Sequence, residues 1–109
     1  MYNYNAKLLR VVDGDTIDFM TDLGFGVFKK IRVRLHDIDT WEMRGENKEK
    51  GKAAKVFVEQ FLSNQKNITI KTFKDKTGKY GRYLAKVFIN DGSVNLGEEL
   101  AKNGHRKIK

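Results

Sequence analysis

A mainly β protein of the α+β class is what the sequence predicts: five strands closed into a barrel, a helix between strands three and four, and a short C-terminal helix. Three observations carry the prediction. Apolar and charged residues alternate strictly from Ile31 to His36, helical spacing dominates between Gly45 and Asn64, and Gly, Asn and Asp punctuate the joints in a chain without proline. The 109 residues suit one domain spanning 1–109, enough to close a single core and too few for two.

The elements follow in order. Ala6 to Val12 and Thr16 to Met20 are apolar-rich runs separated by Asp13-Gly14-Asp15, the pattern of two strands joined by a tight turn. After Gly24 and Gly26, Ile31, Val33 and Leu35 alternate with Arg32, Arg34 and His36, so a third strand has one face on the core and Arg34 on the other. Ala53, Ala54, Phe57 and Phe61, with neighbouring Val58 and Leu62, recur at three- and four-residue spacing, which predicts a helix starting near 47–51 and ending near Ser63 and Asn64. Ile68 to Phe73 and Tyr83 to Ile89 read as a second hairpin across the polar loop from Lys74 to Arg82. Asn90-Asp91-Gly92 is a turn. Asn95 followed by Glu98 has the capping-box pattern, so a last helix through Leu96 and Leu100 stops at Gly104. Five strands with a helix between the third and fourth fit the OB-type barrel.

Composition narrows the chemistry. With no cysteine and only His36 and His105, there is neither a disulfide framework nor a thiolate zinc site, and a metal must take oxygen ligands. No apolar run reaches the roughly 20 residues of a membrane span. Residues 1–7 lack an apolar signal core, so the sequence reads as cytoplasmic, a secreted form with its leader removed being the alternative. Twenty-two Lys and Arg against 14 Asp and Glu leave a net charge of +8, which makes polyanions, nucleic acid first, the natural partners.

Carboxylates gather at three strand ends or turns: Asp13 and Asp15, Asp37 and Asp39, then Glu42, with arginines at Arg34 and Arg82. Phosphodiester hydrolysis needs cations to neutralise developing charge and a base to activate water, and this set supplies both. Each residue also has a plainer reading. Asp13 and Asp15 can simply shape an Asx turn, Asp39 and Thr40 can cap a helical turn, Glu42 can stand in solvent, and Arg34 and Arg82 can be ordinary outward charges.

Three strings separate these readings: Val12-Asp13-Gly14-Asp15-Thr16, Arg34 to Glu42 (RLHDIDTWE), and Lys79 to Ala85 (KYGRYLA). In order and spacing they resemble the signature segments of the staphylococcal nuclease family, and the similarity runs from about Asn5 to Gly104. The resemblance implies a calcium-dependent nuclease acting on DNA, with RNA not distinguished from it. It implies Asp15, Asp39 and the Thr40 carbonyl as calcium ligands. Glu42 would orient or deprotonate the attacking water, Arg34 and Arg82 would hold the scissile phosphate, and Lys79 and Tyr80 would lie near a neighbouring phosphate. Trp41 stands where the family commonly has proline, the loop from Glu42 to Gly51 is short, and a third C-terminal helix with its tyrosines has no counterpart in this sequence. A monomer or weak homodimer is expected.

Two further readings remain at this level. A non-catalytic OB-type nucleic-acid-binding module is opposed by the presence of all five charged site residues. A carboxylate-pair glycosidase leaves the arginines and the basic charge unexplained. The lysines from Lys48 to Lys55 and the terminal Arg106-Lys107-Ile108-Lys109 can steer a phosphate backbone or can be a solvated face, and Trp41 and Tyr80 can stack bases.

Overall fold

The computed structural model describes residues 2–63, 65–77, 83–90 and 92–107, with side chains given for all of these except 2 and 74–77. The first four strands are β1 (Tyr2–Asp13), β2 (Thr16–Asp22), β3 (Phe28–Leu35) and β4 (Ile68–Thr77). Strands β5 (Tyr83–Ile89) and β6 (Val94–Asn95) follow, with helices α1 (Lys48–Leu62) and α2 (Leu96–Lys102). A short 3-10 turn, Gly45–Asn47, leads into α1.

The sheet order is β3-β2-β1-β4-β5-β6, and a parallel pairing of β3 with β5 (Val33 with Tyr83, Leu35 with Ala85) closes it into a barrel. Strand β1 makes closure possible because it serves two partners. Its first residues, Tyr2 to Ala6, pair with β4, and from Ala6 to Asp13 it pairs with β2. Register shifts between Leu8 and Arg10 and between Val11 and Asp13 mark bulges, which bend a strand and raise its twist, the requirement for curling a sheet onto itself.

Alternating residues of β2 to β5 fill the barrel: Ile17 and Phe19 from β2, Val33 and Leu35 from β3, Ile68 and Ile70 from β4, and Ala85 and Val87 from β5, all essentially inaccessible. Helix α1 lays Ala54, Val58 and Leu62, an i, i+4, i+8 stripe, against this core, and α2 adds Leu96 and Leu100. Full burial of such side chains stabilises by about 1.5–3 kcal/mol each, so α1 is held by its buried stripe. Its N-terminus contributes little, since Asn47 makes no side-chain cap.

The predicted α+β barrel and its element order are what the structure has. Boundaries differ where periodicity was silent. Strand β3 begins at Phe28, because Phe28 to Lys30 pair with Asp22 to Met20 although both faces there are exposed. Strand β4 continues to Thr77, into what reads as loop, and β6 adds two residues beside β5. At α2 the Asn95 side chain accepts the Glu98 N–H at 3.2 Å, as the capping pattern predicts, and Gly104 takes the left-handed conformation just beyond the helix. Among the described residues no helix is long and apolar enough to cross a membrane.

Candidate active site

The β1–β2 turn, the end of β3 and the segment after it meet at one end of the barrel. Asp13, Asp15, Arg34, Asp39, Thr40, Trp41, Glu42 and Lys107 line a cleft of about 280 Å³ there. The antiparallel register brings them together, since Thr16 pairs with Arg34 and the Leu35 N–H donates to the Asp15 carbonyl at 2.9 Å.

Asp15 is the hub. Its Oδ2 accepts the Thr40 N–H at 3.1 Å and lies 3.4 Å from Arg34 Nη2, while its Oδ1 accepts from Thr16 Oγ1 at 3.2 Å. The Asp15 N–H in turn donates to Asp13 Oδ1 at 3.2 Å. The Asx turn and the acidic cleft are therefore one structure. Burial, and then the adjacent Asp13 carboxyl, push the Asp15 carboxyl from its ordinary 3.8 to about 6, against the pull of Arg34 and of the Thr40 N–H.

Arg34 is half-buried and held by its own chain. Nη1 donates to the carbonyls of Leu35 and Ile38, and Nη2 donates to Asp39 Oδ1. Asp15 and Asp39 thus converge on one guanidinium nitrogen. Glu42 is 68% exposed and lies 3.8 Å from Arg44, an exposed contact worth little. Among the described residues no three acidic or histidine side chains already form a metal cage. The donor set nonetheless fits a hard cation: four carboxylates line one cleft, two of them gathered round a positive charge. Beside them the Thr40 hydroxyl is buried without a partner among the described residues.

Close approaches at three glycines hold the segment from Asp37 to Met43. A Cβ on Gly14 would meet Thr40 Oγ1 at 2.6 Å, one on Gly51 would meet the Glu42 carbonyl oxygen at 2.2 Å, and one on Gly97 would meet Asp37 Oδ1 at 2.4 Å. From the other side the Lys107 N–H donates to the Asp39 carbonyl at 2.8 Å. The role of Gly51, inside a helix where glycine is unfavourable, was legible only as an unexplained breach of helix propensity. Lys107 reads from sequence only as part of a basic tail, yet it lines the cleft. Trp41 is half-buried with Lys50 Nζ 4.6 Å from its ring centre, His36 stacks on Phe73 away from the cleft, and His105 packs on Phe57. Lys79, Tyr80 and Arg82 lie outside the described residues.

Residues 32–108, which include Arg34 and the cleft segment after it, match the family described as staphylococcal nuclease homologue. The chain belongs to the staphylococcal nuclease family. It is 37% identical to a thermonuclease of Staphylococcus intermedius over 92% of its length and 56% of the relative's. With a thermonuclease of Staphylococcus hyicus the identity is 35%, over 94% of this chain and 58% of the relative. An uncharacterized protein of Methanocaldococcus jannaschii is 33% identical over 97% of this chain and 59% of that one. The chain thus spans somewhat more than half the length of these relatives in the family.

Proposed function

We propose that this chain is a metal-dependent phosphodiesterase that hydrolyses DNA, with RNA as a further substrate class, and that calcium is its metal. The observation that carries the reading is the convergence of Asp15, Arg34, Asp39, Thr40 and Glu42 on one cleft, in a family that includes the thermonucleases.

Asp15, Asp39 and the Thr40 carbonyl would hold the ion, which supplies charge neutralisation at the phosphate when bound. Arg34, joined by Arg82, presents a planar, permanently charged fork suited to two phosphate oxygens. A phosphate must compete with Asp39 for the Arg34 Nη2 donors, so substrate entry exchanges one anion for another at that nitrogen. Glu42, the most exposed carboxylate of the cleft, accepts a proton from the attacking water. Lys79 and Tyr80 would contact the neighbouring phosphate.

A binding-only module is the second reading, favoured by one observation: Arg34 is committed to three acceptors of its own chain. Incubation of the purified protein with labelled single-stranded DNA in calcium, in magnesium and in chelator separates the two. Cleavage in calcium, weaker cleavage in magnesium and none in chelator supports the enzyme. Tight binding without cleavage in any divalent metal supports the module, and full activity in chelator sinks the metal assignment.

A further inference from the structure

Cross-strand partners share one face of a sheet, so the β1–β2–β3 register states which side chains stand together on the side turned away from the core. The row at the cleft holds Thr16 and Arg34. The next row outward holds Arg10, Asp18 and Arg32, and the next holds Lys7, Met20 and Lys30. A last row pairs Asp22 with Phe28 at the root of the β2–β3 tip.

Beyond the cleft row this face carries four exposed cations, Lys7, Arg10, Lys30 and Arg32, against two acids that are already occupied. Asp18 is buried under Arg32, whose Nε donates to it at 2.8 Å while the guanidinium side chain stays 45% exposed. Asp22 Oδ1 accepts the Gly24 N–H at 2.8 Å. Successive rows are two residues apart, roughly 6.6 Å, which is on the scale of one nucleotide step of an extended strand.

The tip is apolar and well braced. Leu23 N–H donates to Val27 O at 2.8 Å, Val27 N–H donates to Gly24 O at 2.9 Å, and Phe25, at φ 55°, projects fully into solvent beside half-exposed Phe28. Neither the fold's core nor the cleft uses these aromatic faces.

We propose that the outward face of β1–β2–β3 is a second binding surface that carries a single nucleic-acid strand from the cleft to the β2–β3 tip. Lys7, Arg10, Lys30 and Arg32 meet its phosphates, and Phe25 and Phe28 stack unpaired bases at the far end. The face spans the seven residues of β2, from Thr16 to Asp22, or about 20 Å. A strand long enough to cover it binds more tightly than one that fills the cleft alone. A duplex, whose bases are stacked on one another, gains nothing from the two phenylalanines. The inference rests on the nucleic-acid reading of the cleft but not on catalysis.

The test is fluorescence anisotropy in chelator, with single-stranded DNA of about three and about 12 nucleotides, the longer within the range one OB barrel covers. Compared are the parent, the Lys7→Ala/Lys30→Ala variant and the Phe25→Ala/Phe28→Ala variant. All four substituted side chains are exposed, and unchanged thermal unfolding confirms the fold. The lysine variant should lower the slope of log affinity against log salt for the long strand by about 1.4, or about 0.7 per cation removed. The phenylalanine variant, which removes two stacking rings, should lose about 30-fold or more in affinity for it. Neither should alter binding of the short strand. Cleavage of both strands in calcium is read in parallel. Variants that match the parent on both strands overturn the track while leaving the nuclease reading intact. A parent that binds the long strand through this face yet cuts neither strand removes the nuclease reading and leaves the track. Loss of adsorption to phosphatidylglycerol vesicles without loss of long-strand affinity would assign the face to lipid headgroups instead and overturn the proposal.

Discussion

Asp15→Asn should make the protein more stable at neutral pH while removing its response to calcium. The carboxyl is 13% exposed and its pKa stands at about 6 instead of 3.8, so its charged form is disfavoured in the folded state by about 3 kcal/mol at about 1.4 kcal/mol per unit. Because the folded value lies above the unfolded one, this group favours folding most below about pH 4, and that contribution is lost as pH rises through about 6. Asparagine keeps one oxygen to accept the Thr40 N–H but forgoes the second acceptor and the attraction to Arg34, which offsets part of the gain. A net gain of about 1–2 kcal/mol corresponds to a rise in Tm of roughly 4–15 °C for a domain of this size. The assay is thermal unfolding of parent and variant in chelator and in calcium at several pH values. The two should coincide near pH 4, diverge as pH rises from about 4 to about 6 and stay a constant interval apart above that, and calcium should raise only the parent's Tm. A variant less stable than the parent at about pH 7.5 in chelator would refute the reasoning, because the carboxylate would then be holding the fold together instead of straining it.

Three other outcomes are expected. Glu42→Gln keeps shape but cannot accept a proton, so single-turnover cleavage should fall by about 10² to 10⁴ while affinity for nucleic acid, measured at one salt concentration, holds or rises slightly. Arg34→Lys keeps the charge and loses the fork, so turnover should drop far more than Tm, and a lysine variant that cleaves like the parent would exclude Arg34 from the phosphate. In Gly51→Ala the new methyl meets the backbone of Glu42 and Met43, at 2.2 Å from the Glu42 carbonyl oxygen. Cleavage should fall by roughly 10-fold or more with little change in substrate affinity, since small misplacements of a reacting group are costly. The better helix propensity of alanine should partly offset the displacement in unfolding measurements.

Strand β5 was legible to the residue, because Tyr83 to Ile89 is bounded on both sides and alternates against a core. Helix α1 was legible because a single apolar stripe, Ala54, Val58 and Leu62, repeats at every fourth residue. The start of β3 was not, since Phe28, Lys29 and Lys30 are exposed on both faces and no periodicity survives where neither side is buried. At the cleft, the strings around Asp15 and Asp39 pointed to residues that share one guanidinium. The engagement of Arg34 by its own chain was not legible, nor were the approaches at Gly51 and Gly97 or the arrival of Lys107. These are contacts between distant segments, and local patterns carry no record of them.

The segment from Asp37 to Met43 has no regular structure of its own to speak of, and its bracing partners come from the first turn, from the two helices and from Lys107 near the last residue described. Its order is therefore borrowed from them. The Asp37–Gly97 and Asp39–Lys107 contacts cross much of the chain, as the Tyr2–Thr72 pairing of the barrel also does, so the cleft should assemble together with the barrel and be the first feature lost when the C-terminal segment frays. A chain nicked near Arg106 would lose the Lys107 contact to the Asp39 carbonyl, so cleavage should fall before the unfolding temperature does.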